Sequence, residues 1–170
     1  MPLNSRLSKL LDTVTDALPI SGPILIIRAT DNPAYNTHNP ELFHCIQSFK
    51  PTYDSLERAG LSAFEALPEN ATAAIVELTR SKPENLANIA KAYAALKSEA
   101  TLYIDGAKTD GIDSILKAIK KLTTIDGSFA KAHGKTIWLV KNKDENPFHD
   151  WLNLVGCANN KDGYWTVPGI

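Results

Sequence analysis

The sequence predicts an α/β fold in which a mostly parallel sheet carries helices on both faces. The run Ile24–Arg28 is almost continuously apolar, as expected of a strand that is covered on both sides. Between residues 72 and 122 the pattern alternates strand, helix, strand, helix, which is typical of parallel crossovers. Two further strands, 123–131 and 135–141, are joined by a turn and add an antiparallel C-terminal pair.

Length and composition are those of an ordinary globular domain. The chain has 170 residues, of which 44% are hydrophobic and 22% charged, so one domain is the default. Cys45 and Cys157 lie far apart, and neither they nor the histidines show metal-ligand spacing, so we expect no metal site and a reducing, cytoplasmic compartment. We find no leader pattern or membrane-length apolar stretch and expect no membrane partner.

The first third of the chain begins with a helix and continues with a strand and a loop. Leucines and a valine at three- and four-residue steps predict a helix over 4–17, which Pro19 ends. The first strand, 24–28, follows. Residues 31–42 are rich in Asn, Pro and Asp and predict an irregular loop before a short strand at 44–49.

The middle of the chain contains the clearest helix start. Residues 54–59 are ambiguous, and 61–67 fit either a helical turn or a short strand. A clear strand at 72–78 then leads into Ser81-Lys82-Pro83-Glu84, which combines a capping serine, a proline in the first turn and a glutamate three residues after the serine. We therefore predict a helix from Ser81, followed by a strand at 101–104.

The last third is predicted to contain a helix, a hairpin and a tail. A helix over 111–122 precedes the two strands of the hairpin. Residues 142–150 are polar and fit a linker. Phe148 and Trp151, with the leucines after them, predict a short amphipathic helix that packs back on the domain.

The turn after the first strand contains no glycine. Doubly wound folds place glycines there so that the backbone can approach a bound cofactor. Here the chain reads Ala29-Thr30-Asp31-Asn32-Pro33, so we expect no cofactor in this domain. Asp31 could bind a ribose, but a lone acid after a strand is usually a loop cap.

Residues 31–35 are similar to the Asn/Asp-Pro-Pro-Tyr/Phe loop of amino-group methyltransferases. However, Ala34 replaces the second proline, and the segment follows the first strand instead of the fourth. We therefore favour a simple turn.

In amino-group methyltransferases, the loop that accepts the target amine follows the strand that corresponds to residues 72–78. In this chain it reads Thr79-Arg80-Ser81-Lys82-Pro83. Arg80 and Lys82 would meet an incoming amine with like charge and offer no acceptor. The loop could instead contact a phosphate, because two cations lie at a helix N-terminus, or it could serve only to cap the helix.

Positive charge is concentrated between residues 108 and 143, where eight lysines and three aspartates give a balance of +5 although the whole chain has a net charge of −1. The lysines either decorate solvated helix faces or form a face for RNA, which requires that they converge in space. The candidate RNA contacts are Arg80, Lys82, Lys117, Lys120, Lys121, Lys131 and Lys135.

Several segments together resemble one family. They are Arg80-Ser81-Lys82-Pro83-Glu84 with its helix, the strand that ends at Asp105, the strand Thr136–Lys141, the region of Trp151 and the terminal Asp162-Gly163 and Val167-Pro168-Gly169-Ile170. Over residues 20–170 the chain resembles the N-terminal half of the two-domain bacterial 16S rRNA (guanine-N2-)methyltransferases.

The resemblance implies a Rossmann-like, class I methyltransferase-type sheet with an antiparallel C-terminal strand. It also implies that residues 1–141 form a degenerate domain without a cofactor, and that 142–170 form the junction to a catalytic domain absent from this truncated chain. That C-terminal half would bind S-adenosylmethionine, and this half would help it to engage ribosomal RNA. No catalytic residue carries over to this chain.

Two other functions are compatible with the same residues. A free-standing enzyme could bind another small ligand in the crevice at the strand C-termini, lined by Asp31, Tyr35 and Asp105 together with Arg80 and Lys82. Alternatively, the chain could be a protein-interaction scaffold with no role in nucleic-acid binding.

Overall fold

The computed structural model describes residues 5–14, 16–142 and 145–154, and the backbone alone at 158–159 and 165–166. The terminal residues 167–170, the Asp162-Gly163 pair and Cys157 lie outside the described residues. Within the described part the helices are α1 (Arg6–Thr13), α2 (Lys50–Arg58), α3 (Lys82–Ala95) and α4 (Ile112–Lys120). The strands are β1 (Ile24–Ile27), β2 (Phe43–Ile46), β3 (Ala63–Phe64), β4 (Ala71–Glu77), β5 (Leu96–Ala107), β6 (Gly127–Lys131), β7 (Gly134–Val140), β8 (Ala158–Asn159) and β9 (Trp165–Thr166).

The main sheet has the order β3-β2-β1-β4-β5-β7-β6. Strands β1 to β5 are parallel, and β7 runs antiparallel to both β5 and β6. The chain moves outward from β1 through β2 to β3 and then crosses to the other side of β1 with β4. The predicted fold class is therefore confirmed, including the antiparallel C-terminal strand and the helices on both faces.

Strand β1 is apolar throughout because each of its two faces packs into a separate hydrophobic core, one on each side of the sheet. Leu25 and Ile27 pack with α3 and α4, whereas Ile24 and Ile26 pack with α1 and α2. All of these side chains are at most 3% exposed. A strand that is buried on both faces has no polar positions, and this is the physical basis of the pattern that predicted it.

Helix α3 begins at the predicted cap Ser81, whereas α1 and α4 end earlier than predicted. At the start of α1, the Ser5 hydroxyl accepts a hydrogen bond from the backbone amide of Ser8. In α3 the Ser81 hydroxyl accepts a hydrogen bond from the backbone amide of Glu84, at 3.4 Å. Helix α1 ends at Thr13 because Val14 is already extended, with φ −88° and ψ 114°. The apolar stripe beyond it belongs to a connection that still packs on the core, through Leu18.

Strand β5 is much longer than the predicted 101–104. It follows α3 without a loop, and Leu96 pairs with Ala71 before the register shifts, so that Thr101 pairs with Ala73. The shift inserts an irregularity that includes Glu99 at φ +67°. The first part of the strand was not predicted because Lys97, Ser98 and Glu99 are polar and exposed, and the prediction relied on apolar runs.

The segments left open by the sequence resolve into short elements. Residues 50–58 form α2, and only two residues of 61–67, Ala63 and Phe64, form a strand. The predicted loop over 31–42 contains 3-10 turns at Pro33–Tyr35 and Pro40–Leu42, capped by the side chains of Asn32 and Asn39. Asn before Pro provides both the cap and the first helical φ, so local chemistry orders this loop.

The segment of Phe148, Trp151 and Leu152 packs back on the domain, as predicted, and residue 146 of the predicted linker is bound to α3 as well. A 3-10 helix spans His149–Asn153, and the ring of Phe148 is fully buried against Tyr93 of α3 at 5.5 Å, edge to face. The Asn146 amide donates to the Ala90 carbonyl at 3.0 Å. The division of the chain at residue 141 stays a prediction. No helix among the described residues has the length and apolar character needed to cross a membrane.

Candidate functional site

The carboxyl edge of the sheet, where β1, β4 and β5 end, is the place to look for a ligand site. In open α/β sheets, ligands bind beyond the carboxyl ends of the strands where the strand order reverses. Here that switch point is the gap between the ends of β1 and β4. Thr30 follows β1, and Glu77 ends β4, so their side chains decide whether the gap is open.

The carboxyl group of Glu77 occupies the switch point. The Thr30 amide donates to Oε2 and the Thr30 hydroxyl to Oε1, both at 2.8 Å. The Tyr35 hydroxyl donates to Oε2 at 3.1 Å, and Tyr35 itself is 1% exposed. The carboxylate, the threonine and the tyrosine thus fill the space between the two strand ends. We call these residues the Glu77 cluster.

The surroundings of Glu77 raise the proton affinity of its carboxylate. Burial raises the pKa of Glu77 to about 7, although the hydrogen bonds from Thr30 and Tyr35 act in the opposite direction. The negative charge of Asp105 adds to the increase. Burial, and next the neighbouring Glu77, raise the pKa of Tyr35 well above its usual value, so Tyr35 is a neutral donor.

A second group of side chains closes the turn after β1. Arg28 has φ +59°, a left-handed conformation that usually favours glycine, and its amide donates to the Ile46 carbonyl at 2.9 Å. Its guanidinium pairs with Glu84 in the first turn of α3 and donates to Gln47 Oε1 at 3.3 Å. The Gln47 amide donates to the Ala29 carbonyl at 2.9 Å. Where related folds leave room with glycines, this chain has an arginine tied to α3.

The carboxylate of Asp105 on β5 is bound to the first helix. The Arg6 guanidinium donates to Oδ1 at 2.8 Å and Oδ2 at 3.2 Å, and the Thr136 hydroxyl donates to Oδ1 at 2.6 Å. A further Arg6 nitrogen donates to the Lys131 carbonyl at 3.1 Å. This pair therefore joins α1 to β5, β6 and β7.

The loop after β4 bonds to itself. The Asn85 amide oxygen accepts from the Thr79 amide at 2.8 Å, and its nitrogen donates to the Thr79 carbonyl at 2.7 Å. Asn85 is fully buried, and its side-chain oxygen is used for the hydrogen bond that holds this loop. Arg80 and Lys82 are exposed at the rim of the carboxyl edge.

Some of the predicted RNA-contacting lysines converge, and others do not. Lys135 pairs with Asp113 at 2.6 Å, and Lys108 and Lys117 are also close enough to lower the pKa of Asp113 after this bond. Lys131 pairs with Gly134, whereas Lys135 pairs with Ala130, so Lys131 faces the opposite side of the sheet from Lys135. We call Lys108, Lys117 and Lys135 the basic cluster. It lies at the carboxyl edge because the Lys108 amide donates to the His133 carbonyl in the turn of the β6–β7 hairpin, at 2.9 Å.

Lys120 and Lys121 lie at the other end of α4. The helix starts at the carboxyl edge and runs away from it, and seven residues from Asp113 to Lys120 correspond to about 10 Å of helix. Both lysines are exposed. They extend the positive face along α4, whereas the convergence itself is confined to the basic cluster.

The three residues of the alternative crevice have different environments. Asp31 is exposed in the loop after β1, Tyr35 is buried on Glu77, and Asp105 is held by Arg6. Glu77 and Arg6, which organise the edge, were missed by sequence reasoning. An acid that ends an otherwise apolar strand is a signal that points to Glu77. Among the described residues, no group of His, Cys, Asp and Glu is arranged to hold a metal ion.

Comparison with solved structures identifies the fold. No protein-family model and no curated protein matches the chain. The T. thermophilus 16S rRNA N2 G1207 methyltransferase, solved with AdoMet and guanosine, is similar over 96% of this chain, with 17% identity and a TM-score of 0.62. This chain spans 46% of the length of that protein.

Two further structures share the same architecture. A ribosomal protein L11 methylase from Lactobacillus delbrueckii subsp. bulgaricus has a TM-score of 0.61 at 8% identity, over 81% of this chain and 78% of its own. An rRNA methylase from Streptococcus thermophilus has a TM-score of 0.59 at 14% identity, over 84% of this chain and 100% of its own. At these identities the likeness shows the fold alone, and the chain has a methyltransferase fold.

Replacement of Glu77 by Gln should make stability less dependent on pH. The folded-state pKa near 7 exceeds the ordinary 4.5, so wild-type stability falls as pH rises through this window. A displacement of this size corresponds to about 3 kcal/mol. Urea unfolding at pH 5 and pH 8 should therefore show Glu77→Gln gaining stability relative to wild type at the higher pH.

Glu65→Gln is the matched control, because Glu65 is exposed. It should leave the difference between the two pH values as it is in the wild type. Equal pH dependence of Glu77→Gln and wild type would contradict the partial burial, at the switch point, of a carboxyl group that has no ion-pair partner.

Proposed function

We propose that this chain is a non-catalytic, methyltransferase-like domain of an S-adenosylmethionine-dependent rRNA guanine-N2 methyltransferase. Its role is to support RNA recognition and the stability of the catalytic half. The observation that carries the proposal is the Glu77 cluster, because side chains of the protein occupy the switch point where this kind of sheet binds ligands.

The turn after β1 supports the same conclusion. A cofactor at the switch point needs close approach of the backbone, and here the Arg28 side chain bridges to Glu84 and Gln47 across that turn. In addition, the carboxyl end of β4 offers no uncommitted acceptor comparable to an amide side chain, because Asn85 is bound to Thr79. We therefore assign no cofactor to this chain and expect S-adenosylmethionine in the catalytic half.

Similarity to the T. thermophilus enzyme supports a partner domain. The alignment uses 96% of this chain but 46% of that protein, so a domain of this kind accounts for about half of a guanine-N2 methyltransferase that acts on 16S rRNA. We propose an intramolecular C-terminal catalytic domain as the partner. The reading frame should then encode, beyond Ile170, a strand followed by a Gly-rich loop and an Asn-Pro-Pro-Phe/Tyr motif.

The basic cluster supports a role in RNA binding. Three lysine side chains surround the single carboxylate of Asp113, so positive charge exceeds negative charge there. Arg80 and Lys82 are exposed at the same edge of the sheet. Phosphate groups bind such clusters by displacing counterions, independently of base sequence. We propose ribosomal RNA as the ligand of this edge.

A free-standing enzyme with another ligand has less support. Its crevice would need Tyr35 and Asp105, but Tyr35 is 1% exposed and bonded to Glu77, and Asp105 is paired with Arg6. Both polar groups would have to exchange internal partners for a ligand. A protein-interaction scaffold is separated from our proposal by the RNA measurement below.

This chain alone should transfer no methyl group to RNA. Incubation with labelled S-adenosylmethionine and protein-free 16S rRNA should give incorporation equal to a reaction without protein, because the switch point is filled. The T. thermophilus enzyme serves as the positive control for the assay. Incorporation above background into guanine N2 by the 170-residue chain would contradict the non-catalytic assignment.

Charge reversal in the basic cluster should weaken RNA binding. We expect Lys117→Glu to lower affinity for 16S rRNA fragments several-fold and to reduce the slope of log K against log salt by about 1. Lys97→Glu is the matched control, because Lys97 is exposed at the start of β5, the opposite edge of the sheet. Equal effects of the two variants, or no salt-dependent binding, would favour the scaffold function instead.

A further inference from the structure

A groove of about 430 Å³ lies at the amino edge of the sheet, just before β1 and β2 begin. One wall is the end of α1 with the connection 16–20, and the other is the loop 37–42 that leads into β2. In this kind of fold, ligands bind beyond the carboxyl ends of the strands, so the groove is a separate surface. Its apolar lining comes from Leu11, Val14, Leu18, Ile20 and Leu42.

Ile20 is the most exposed large apolar residue in the part of the chain that the structure describes. Its exposed fraction is 96%, and it lines the groove. Val14 lines the same groove and is 36% exposed. Single apolar side chains on a surface are common, whereas neighbouring ones beside a groove are typical of an interaction site.

The segment that carries Ile20 is fixed on both sides of this residue. The Tyr103 hydroxyl donates to the Ala17 carbonyl at 2.6 Å, and the Thr72 hydroxyl donates to the Ser21 carbonyl at 2.7 Å. Both donors belong to strands of the main sheet, β5 and β4. The backbone at Ile20 is therefore held in the free protein, so little conformational entropy is lost when a partner covers this side chain.

The second wall is anchored in a similar way. His38 lines the groove and packs edge to face against the ring of Phe43, with centroids 6.1 Å apart. Gly22 lies so close to the second wall that a Cβ atom built on it would be 2.7 Å from the Leu42 carbonyl oxygen. The two walls are thus in direct backbone contact, and this contact fixes their spacing.

The exposed charges on the two walls are mostly negative. Among the described residues of 6–20 and 36–42, they are Asp12, Asp16 and Glu41 against Lys9. Asp16 lines the groove itself. This balance disfavours RNA, whose phosphates would be repelled, and a second copy of the chain, because a two-fold contact would place this acidic surface against itself. It favours a partner with positive charge.

We propose that this groove binds a basic, amphipathic segment of a protein partner. Aliphatic side chains of the segment pack on Ile20 and Val14, and a lysine or arginine pairs with Asp16. The apolar contacts supply most of the affinity, and the acidic walls select the partner by its charge. The inference does not rest on the proposed function, since the groove and the basic cluster lie at opposite edges of the sheet. RNA at the carboxyl edge would leave the groove free.

The test is a fluorescence-anisotropy titration of the full chain with labelled synthetic peptides of equal length. The first peptide combines lysines with a stripe of leucines. The second has glutamate in place of every lysine, and the third has alanine in place of every leucine. Saturable binding is expected for the lysine–leucine peptide alone, because the other two lack either the charge or the apolar side chains that the groove requires.

Two variants with matched controls locate the binding site. Ile20→Ala should weaken binding of the lysine–leucine peptide about 10-fold, the effect expected when a buried aliphatic contact is lost. Leu122→Ala is its control, because Leu122 is 45% exposed just after α4 and does not line the groove. Asp16→Asn should weaken binding several-fold without strain, because asparagine also tolerates the left-handed φ of +57° at this position. Asp31→Asn, in the exposed loop after β1, is the matched control.

Amide chemical shifts in NMR spectra of the full chain should change around the groove when the lysine–leucine peptide is added. Shift changes confined to the carboxyl edge, equal binding of the lysine and glutamate peptides, or equal losses in Ile20→Ala and Leu122→Ala would overturn the proposal. Absence of saturable binding at millimolar peptide would also overturn it. Dimerisation of the free chain that Ile20→Ala abolishes would do the same, because a second copy would then occupy the groove.

Discussion

The interaction on which the carboxyl edge depends is the set of hydrogen bonds that Thr30 and Tyr35 donate to the Glu77 carboxyl group. These bonds join the end of β4 to the loop after β1, and they do so at the point where the strand order reverses. A partly buried carboxylate without an ion-pair partner is costly, so its donors must be well placed. The protein thus uses for its own structure the position at which such sheets usually hold a ligand.

The neighbouring contacts follow from the same constraint. Arg28 occupies a left-handed position without the freedom of glycine, and its ion pair with Glu84 and bond to Gln47 hold it there. On the other side, Asp105 forms an ion pair with Arg6. In the described residues every buried side-chain nitrogen and oxygen has a hydrogen-bond partner. Polar groups at the ends of β1, β4 and β5 are therefore satisfied within the protein.

The sequence was sufficient for the fold because local chemistry specifies it. Strand β1 is apolar since it is covered on both faces, and Ser81 with Pro83 marks the start of α3. The edge could be predicted only in part, because its contacts join distant positions. Tyr35 and Glu77 are 42 residues apart, and Arg6 and Asp105 are 99 apart. No periodicity or capping rule relates such pairs. The lysines show the same limit, since charge counting does not reveal that Lys135 of β7 pairs with Asp113 of α4.

We propose that side chains of the chain itself replace the ligand at the switch point. The most direct test is a calorimetric titration of the 170-residue chain with S-adenosylmethionine. The filled gap between β1 and β4 predicts no saturable heat up to millimolar cofactor. Binding in the micromolar range, with loss of the hydrogen bond between Tyr35 and Glu77 in the complex, would contradict it.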